Sequence, residues 1–391
     1  MLTLNPTFII NKVVMKTPYL PEYLPVLKRI DANAFADILG KANGAVARYD
    51  GIVRTLVNPD ILLSPFMTQE AVLSSKIEGT QATIDEVYEQ DAGISFSESK
   101  REDIDEIKNY RSALKFASRS LGERPLSLGL VKEIHRILLE GVRGNTKSPG
   151  LFREVQNWIG SHGCPIEQAS YIPPDPVHVE ALMENWLDYM VNDWSIEEKA
   201  QLDPLVRAAV MHVQFEMIHP FLDGNGRIGR LMIPLFLYAK NILHRPMFYM
   251  SAYLEAHRDE YYRCLNAVHE ENKWNEWLSF FLRAMVEQAT ANINRAVEIN
   301  KLHNELEDAF RNITHSEYSH LLLDCIFETP IFTRPQIIKK MKEKENTCQD
   351  MTVRNLLNQI IEAGLVRKVR EGSGRKPAVF ELGKLLQIAS G

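Results

Sequence analysis

Residues 219–230 read HPFLDGNGRIGR and place a histidine, an aspartate and two arginines around a glycine-rich turn. Histidine can accept a proton near neutral pH, so His219 is a candidate general base. A carboxylate beside phosphate groups is a natural ligand for Mg²⁺, which makes Asp223 a candidate metal ligand. Arg227 and Arg230 share one face of a helix and can bind more than one phosphate. Together these residue types predict the attack of a hydroxyl group on a nucleotide phosphate.

The backbone around this motif must position those side chains. Pro220 disfavours helical backbone at the residue before it, so a helix is predicted to end at His219. The sequence DGNG at 223–226 favours a tight turn, because glycine and asparagine tolerate positive φ. The apolar stretch 227–240 predicts a buried helix. A glycine-lined loop that enters a helix presents free N–H groups at the positive end of the helix dipole, which predicts a phosphate-binding socket.

Composition and charge limit the broad class of the protein. The chain has 391 residues, which predicts two or three domains. Its net charge of -6 excludes nucleic-acid binding by bulk charge but not by a local basic patch. No segment approaches the ~20 apolar residues of a membrane span or has the pattern of a signal peptide. We therefore expect a cytoplasmic protein without a membrane partner, whose thiols are reduced: Cys164, Cys264, Cys325 and Cys348.

Residues 219–230 resemble the complete Fic signature, HPFxDGNGRxxR. Fic proteins are α-helical enzymes that typically transfer AMP from ATP to a hydroxyl group of a target protein. The resemblance implies that His219 deprotonates a target Ser, Thr or Tyr and that Asp223 holds Mg²⁺ or Mn²⁺. It implies an anion hole for the α- and β-phosphates at 224–226 and a γ-phosphate contact at Arg230. The implied ATP-binding residues of the motif are Gly224, Asn225, Gly226, Arg227, Ile228, Gly229 and Arg230.

Two flanking segments resemble other parts of Fic proteins. The sequence SYIPPDP at 170–176 resembles the flap that clamps the target backbone as an added strand. This resemblance implies target-binding roles for Ser170, Tyr171 and Ile172. The sequence DEYYRCLNAVHEEN at 259–272 resembles the helix that lines the adenine pocket, and Tyr262 is its implied ATP contact.

Glu78 is predicted at the end of a short helix that Gly79 should stop. The helix dipole disfavours a carboxylate there by a few tenths of a kcal/mol, up to ~1 kcal/mol. The stretch 74–79, SSKIEG, resembles the Fic inhibitory motif [S/T]xxxE[G/N]. The resemblance implies that Glu78 pairs with Arg230 at the γ-phosphate position, so that ATP binds unproductively. Glu78 and Arg230 each interact unfavourably with the dipole of their own helix, and such a pair would neutralise both charges.

The chain is predicted to be mainly α. Its predicted helices are 31–49, 67–78, 102–121, 127–140, 176–192, one that starts at Pro204, 227–240, 274–311 as one helix or two, 318–328, 334–344 and 350–363. The resemblance also implies how the chain divides into units. The first two are an N-terminal Fic-associated domain at 1–110, which contains the inhibitory helix at 67–79, and a helical Fic catalytic core with a small β-hairpin flap at 111–290. A helical linker at 291–314 and a winged helix-turn-helix at 315–391 follow. Two strands around a basic turn should end the chain.

The expected activity is that of an autoinhibited protein adenylyltransferase, a nucleotidyltransferase that converts ATP and a protein hydroxyl to AMP-protein and diphosphate. Its expected partners are ATP, a protein substrate and the chain itself as an AMPylation target. A second copy in a homodimer and duplex DNA are further candidates. An alternative within the Fic fold is a de-AMPylating hydrolase in which Glu78 positions water. Relatives that transfer phosphate or phosphocholine form another alternative.

A second class of alternative is a DNA-binding transcriptional regulator in which the Fic core is a sensor. The third helix of the C-terminal unit offers Arg354, Asn355, Asn358 and Gln359 to a groove, and the wing offers Arg367, Lys368, Arg370, Arg375 and Lys376. A third class is a di-iron site, because His212, Glu216 and His219 have the spacing of bundle metal ligands. The tryptophans at 158, 186, 274 and 277 are predicted to be core residues.

Overall fold

A computed structural model describes residues 17–144, 146–161, 163–192, 202–345, 348–374 and 376–390. Its helices are α1 Ala36–Thr55, α2 Pro59–Leu62, α3 Ser64–Ile77, α4 Ile84–Asp91, α5 Glu98–Glu123, α6 Leu128–Leu138, α7 Val179–Val191, α8 Pro204–Ile218, α9 Asn225–Ala239, α10 Ser251–Ala256, α11 Arg258–Glu271, α12 Trp274–Thr314, α13 Ser319–Glu328, α14 Arg334–Lys344, α15 Asp350–Glu362 and α16 Gly383–Ser390. The strands are β1 Ile331–Thr333, β2 Arg367–Arg370 and β3 Val379–Glu381. None of the described helices could span a membrane.

The mainly α fold is confirmed, and every predicted helix has a counterpart within about six residues of its predicted ends. The stretch predicted as one or two helices from residue 274 is a single helix, α12, of 41 residues. The predicted unit boundaries after residues 110 and 290 fall inside α5 and α12. Neighbouring units therefore share continuous helices.

Helices α8 and α9 pack against each other at the centre of the fold. Nearly every residue of both is buried, which is typical of a helix surrounded by other helices. Helix α8 begins at Pro204, as the sequence predicts, and the Asp203 side chain caps it by accepting from the Leu205 N–H. The indole N–H groups of Trp186 and Trp277, on α7 and α12, each donate to an α8 carbonyl at 2.9 Å. These contacts fix α8, and with it the loop that follows.

Helix α3 carries the predicted inhibitory residue at its C-terminal end and packs against α5, α9 and α10. Its Glu70 is buried, and the carboxylate accepts hydrogen bonds from the Ser251 hydroxyl at 2.6 Å and the Ser251 N–H at 3.1 Å. The helix ends at Ile77, and Gly79 follows with a φ of 107°. Glycine adopts this backbone conformation readily, so the predicted stop after Glu78 is confirmed.

The C-terminal unit has the order α13, β1, α14, α15, β2, β3, α16. Its three strands form an antiparallel sheet in the order β1-β3-β2. The predicted pair of strands is therefore extended by a third strand, β1, which has three residues. Neither β1 nor helix α16 was predicted from the sequence. Helix α16 packs against α3 and α12, and α13 packs against α2, α3 and α12. The unit is thus docked directly on the helix that carries Glu78.

The loop between α6 and α7 contains the segment predicted as a β-hairpin flap and one tryptophan that was wrongly predicted to be a core residue. The predicted β-hairpin flap is reduced, in the described residues of this loop, to one antiparallel bridge between Ile159 and Tyr171. Pro173 and Pro174 lack N–H groups, so the pairing cannot continue beyond it. Trp158 is 42% exposed and donates its N–H to the Cys164 carbonyl, so it is not a core residue.

Candidate active site

His219 lies immediately after α8 with left-handed backbone angles, φ 49° and ψ 58°. This conformation costs a residue with a Cβ about 1–2 kcal/mol, so neighbouring contacts must hold it. The buried Arg153 supplies them: its Nε donates to the His219 carbonyl at 2.9 Å and its backbone N–H donates to the Pro220 carbonyl at 2.9 Å. Its Nη2 donates to the Pro174 carbonyl at 2.5 Å. One guanidinium therefore ties the motif to the end of the flap segment.

The imidazole of His219 has one nitrogen engaged by the backbone. Nδ1 lies 3.4 Å from the Glu216 carbonyl, which can only accept, so Nδ1 carries the proton of that hydrogen bond. Nε2 then keeps its lone pair. Burial lowers the pKa of His219 to about 4, although the Glu216 carbonyl favours the charged form. The ring is therefore neutral at physiological pH and able to accept a proton.

The loop between α8 and α9 is closed by Asn225. Its Oδ1 accepts from the Phe221 N–H and its Nδ2 donates to the Phe221 carbonyl, both at 2.8 Å. Gly224 precedes α9 with a φ of 77°, which glycine tolerates without a Cβ clash. The first N–H groups of α9 have no carbonyl one turn earlier within the helix, so they face the site as potential donors to an anion. The side chain of Asn225 thus holds the loop closed, and its backbone N–H is one of the potential donors to an anion.

Arg227 and Asp223 form one side of the socket. Arg227 is 4% exposed, and its guanidinium donates to Glu106 at 3.2 Å and to Asp223 Oδ1 at 3.3 Å. Arg143 donates to the other Glu106 oxygen at 2.8 Å. The Asp223 side chain is 39% exposed, so its carboxylate is open to a hydrated cation. Glu106 holds Arg227 in place and leaves Asp223 accessible.

Arg230 forms the other side of the socket and joins it to α3. Its Nε donates to Ser74 Oγ and its Nη2 to the Ser74 carbonyl, both at 2.9 Å. Its Nη2 also donates to Glu78 Oε1 at 2.6 Å. A Cβ atom at Gly226 would collide with Glu78 Oε1 and lie 3.0 Å from Arg230 Nη1. The Glu78 carboxylate therefore lies at the N-terminus of α9, in the position of a bound anion.

The charges of Glu78 and Arg230 stabilise each other. Burial raises the pKa of Glu78, but the Arg230 guanidinium more than offsets this and holds the pKa below its usual value. Burial lowers the pKa of Arg230, and Glu78 more than offsets that effect in turn. The exposed fractions of the two side chains differ, 36% for Glu78 and 2% for Arg230. The Arg230 side chain is therefore buried within the protein, and the Glu78 side chain contacts it from the solvent-exposed side.

Residues 125–237 match the model of the Fic/DOC family, and residues 36–119 match that of the Fic/DOC family N-terminal domain. The chain is a Fic/DOC family protein with a Fic N-terminal domain. A protein adenylyltransferase Fic from Drosophila willistoni is 31% identical over 133 residues, which are 34% of this chain and 24% of that protein. The chain thus matches only about a quarter of that relative's length.

Two solved structures share the fold. A Fic family protein from Desulfovibrio desulfuricans G20 superposes with a TM-score of 0.53 at 19% identity, over 94% of this chain and 98% of that one. A Fic domain containing signaling protein from Bacteroides thetaiotaomicron VPI-5482 gives a TM-score of 0.51 at 19% identity, over 65% of this chain and 96% of that one. The helical Fic fold is confirmed, and at this identity the likeness extends to the fold alone.

A cavity of about 460 Å³ adjoins the socket of this Fic protein, between α11 and the flap segment. Tyr262 lines it, together with Glu216, Arg258, Asn266 and His269. Burial raises the pKa of Glu216 to about 8, an effect that Arg230 only partly offsets. At neutral pH the Glu216 carboxyl is therefore mostly protonated and can donate a hydrogen bond. The cavity combines apolar walls with a few polar groups, which is the composition of a small-molecule site.

The three predicted flap residues have different environments. Ser170 is exposed, whereas Tyr171 and Ile172 are buried. The Tyr171 hydroxyl donates to the Met217 carbonyl at 2.7 Å, and the Ile172 carbonyl accepts from the Tyr19 N–H at 2.9 Å. Tyr171 and Ile172 are thus engaged within the chain, and Tyr19 already occupies one backbone acceptor that an added strand would use.

Three residues of this site were missed by the sequence analysis. Arg153 and Glu106 position the motif as described above. The third, His135, is fully buried, and its Nδ1 accepts from the Gly150 N–H at 2.8 Å. Its Nε2 therefore carries the proton and donates to the Asp223 carbonyl at 3.0 Å. The ring also stacks on Phe221 at 3.7 Å. Its position in a strongly amphipathic helix was the available signal.

The predicted di-iron alternative has no support in the described residues. His212 Nε2 lies 2.8 Å from the Tyr261 hydroxyl, and His219 Nδ1 faces a backbone carbonyl. Among the described residues, the group with the geometry of metal ligands is instead formed by side chains of α12 and α13. His219 lies beyond the end of α8 with left-handed backbone angles, so it does not share a helix face with His212 and Glu216.

Proposed function

We propose that this Fic protein transfers AMP from ATP to a hydroxyl group of a protein, itself included, and that Glu78 restrains the transfer. The observation that carries the proposal is the placement of a neutral, partly buried His219 beside a helix N-terminus flanked by Arg227 and Arg230. The similarity to protein adenylyltransferases supports the same reaction. Fold alone would not specify it, since function depends on the site.

In the proposed reaction, His219 Nε2 accepts the proton of the target hydroxyl. The hydroxyl oxygen attacks the α-phosphorus of ATP, a new P–O bond forms, and the bond to the bridging oxygen breaks. Diphosphate leaves with that oxygen and its electron pair. The N–H groups at the start of α9 and the Arg227 guanidinium stabilise the charge on the phosphates. The cavity beside Tyr262 accepts the adenosine part.

The accessible carboxylate of Asp223 fits a Mg²⁺ or Mn²⁺ ion. Its 39% exposure leaves room for the waters that Mg²⁺ retains, and its side chain borders the phosphate socket. When bound, such an ion neutralises charge on the di- or triphosphate. His135 holds the Asp223 carbonyl and Arg227 contacts the carboxylate, so these two residues orient the candidate ligand.

Glu78 would restrain the reaction by competing with phosphate for Arg230. Its carboxylate lies where a Cβ of Gly226 would be, so a phosphate at the same point would meet both steric and charge repulsion. ATP can then bind only in an arrangement displaced from Arg230. Since α3 is held by the buried Glu70, the block is maintained by the packing of the whole helix.

Intact mass spectrometry after incubation with ATP and Mg²⁺ tests the reaction directly. We expect the wild-type protein to gain the mass of AMP slowly, because the carboxylate of Glu78 competes with the γ-phosphate. Incubation without ATP is the control. A gain of a single phosphate would contradict AMP transfer and indicate a phosphate-transferring relative.

The same measurement separates transfer from hydrolysis. A sample first labelled with AMP through an activated variant should keep the label when wild-type protein and Mg²⁺ are added. Loss of the label, with release of AMP, would favour the de-AMPylating alternative. No adduct under any condition, for the wild type or for a Glu78 variant, would refute the proposed transfer to the chain itself.

A second function, DNA binding by the C-terminal unit, is favoured by the exposed polar face of α15. Arg354, Asn355, Asn358 and Gln359 are all exposed, and the order of α13–β3 agrees with a winged helix-turn-helix. The basic wing is weaker than its sequence suggests, because Arg367 pairs with Glu381 and Lys368 with Glu371. Arg375 lies outside the described residues. DNA binding would be an addition to the enzyme activity.

Fluorescence anisotropy with a random-sequence duplex tests this second function. We expect weak binding that falls with salt, and an Arg354→Glu variant whose affinity is lower and whose log–log salt slope is smaller by about 1. Lys301→Glu is the matched control, since Lys301 is also an exposed cation but lies on α12. Absence of binding at low salt, or equal loss in both variants, would rule out this face of α15.

A further inference from the structure

Two pairs of metal-ligating side chains face each other where α12 meets the C-terminal unit. His303 and Glu307 are four residues apart on α12, and His320 and Asp324 are four residues apart on α13. Residues with this spacing lie on one face of a helix. The ligand atoms of His303, His320 and Asp324 all lie within 4.8 Å of one another.

The inner members of this cluster are buried with unsatisfied polar atoms. The side chains of His303 and Asp324 are 8% and 7% exposed. Within the described part of the chain, neither His303 Nε2 nor Asp324 Oδ1 has a hydrogen-bond partner. The two atoms are 3.5 Å apart, which is too long for a good N–H···O bond. Unpaired buried polar atoms are costly, so their convergence indicates a missing partner.

The separations are close to the edge length of a tetrahedral metal site, although each histidine is nearest a different oxygen of Asp324. Ligand atoms ~2.1 Å from a Zn²⁺ ion in tetrahedral geometry lie ~3.4 Å from each other. The distance from His303 Nε2 to Asp324 Oδ1 is 3.5 Å, and that from His320 Nε2 to Asp324 Oδ2 is 3.6 Å. His320 is 49% exposed, so its ring can adjust and the site opens to solvent on that side.

Glu307 completes the arrangement from outside. Its carboxylate lies 3.7 Å from His320 Nδ1, on the opposite edge of the ring from Asp324. Metal-binding histidines commonly donate their other ring N–H to a carboxylate, which fixes the tautomer that leaves the first nitrogen free. At 3.7 Å this contact is longer than a hydrogen bond, so a small rotation of the half-exposed His320 side chain is needed for Nδ1–H to reach Glu307 and for the Nε2 lone pair to face the cluster.

We propose that His303, His320 and Asp324 bind a divalent transition-metal ion, with Zn²⁺ the best match, and that Glu307 orients His320. Two imidazoles and one carboxylate favour Zn²⁺ and its first-row neighbours over Mg²⁺ or Ca²⁺, which prefer oxygen ligands. The ion would link α12 to α13, the first helix of the C-terminal unit. Because α13 also packs against α3, the ion would stabilise the docking of that unit. This proposal is independent of the AMP transfer.

Calorimetric titration of the chelator-treated full chain with Zn²⁺ tests the site. Excess Mg²⁺ is included to occupy oxygen sites such as Asp223. We expect one tight site in the wild type, an affinity at least about tenfold lower in His320→Ala and Asp324→Asn, and an about 10- to 100-fold reduction in Glu307→Gln. His178→Ala is the matched control, because His178 is exposed and lies outside the cluster.

Two further readouts distinguish a built site from adventitious binding. Zn²⁺ should raise the Tm of the wild type but not that of His320→Ala, since only binding to the folded site stabilises it. Bound Co²⁺ should give the intense visible absorption of a tetrahedral ion. His320 is half exposed, so its alanine variant should fold. Absence of Zn²⁺ binding, or equal binding by the wild type and His320→Ala, would overturn the proposal and leave a simple histidine–aspartate contact.

Discussion

Replacing Glu78 with glycine is expected to raise the rate of AMP incorporation by at least about tenfold, which corresponds to removal of ~1.4 kcal/mol of obstruction. The carboxylate is the only part of the residue that reaches Arg230 Nη2, at 2.6 Å. Without it, Arg230 keeps its two bonds to Ser74 and gains space for a phosphate. The phosphates can then align along the N-terminus of α9.

The rate is measured with radiolabelled ATP and purified protein. Glu78→Gln retains the length of the side chain but lacks its charge, so an intermediate rate is expected. Lys76→Gly is the matched control for loosening of α3, because Lys76 lies near the same helix end but pairs with Glu255 at the surface. An equal gain in Lys76→Gly would assign the effect to helix flexibility. An unchanged rate in Glu78→Gly would remove Glu78 as an inhibitor.

The loss of Glu78 should also change how ATP affects stability. In the variant without nucleotide, the buried Arg230 has lost its carboxylate partner, so we expect a lower Tm than that of the wild type. The γ-phosphate of ATP can replace that partner only in the variant. The rise in Tm on addition of ATP and Mg²⁺ should therefore be larger for Glu78→Gly than for the wild type.

The local part of the site could be predicted from sequence because its determinants are adjacent in the chain. Pro220, the glycines and the apolar stretch after Arg227 specify helix, loop and helix without reference to the rest of the protein. The contact between Glu78 and Arg230 spans 152 positions. Each of the two residues interacts unfavourably with the dipole of its own helix, but only the resemblance to Fic motifs predicts that they pair.

The supporting residues could not be predicted in this way. Arg153 acts mostly through backbone carbonyls, and Glu106 through an arginine 121 positions away, so neither leaves a periodic pattern. Strand β1 is three residues long and was too short to distinguish from a loop. In the flap segment, the described pairing is limited to one bridge, because Pro173 and Pro174 have no N–H group to donate to a neighbouring strand.

Replacing His219 is expected to abolish AMP transfer while ATP binding is retained. General base catalysis typically contributes about 10²–10⁴-fold, so the rate of His219→Ala in the Glu78→Gly background should fall by at least that range. The phosphate contacts are made by the start of α9, Arg227 and Arg230, none of which depends on the imidazole. ATP affinity is measured by calorimetry, and His244→Ala, which changes an exposed histidine outside the site, is the control.

His219→Gly is a second variant, and the backbone conformation at this position allows it to separate a loss of catalysis from a loss of folding. Both His and Ala are strained at a φ of 49°, whereas glycine is not, so His219→Gly should fold at least as well as the wild type and still be inactive. Added imidazole should restore part of its rate. With His219 present, burial keeps its pKa at about 4, so the rate should be constant between about pH 6 and about pH 7 and fall only as the pH approaches that pKa. Retained transfer in both variants would show that another group takes the proton.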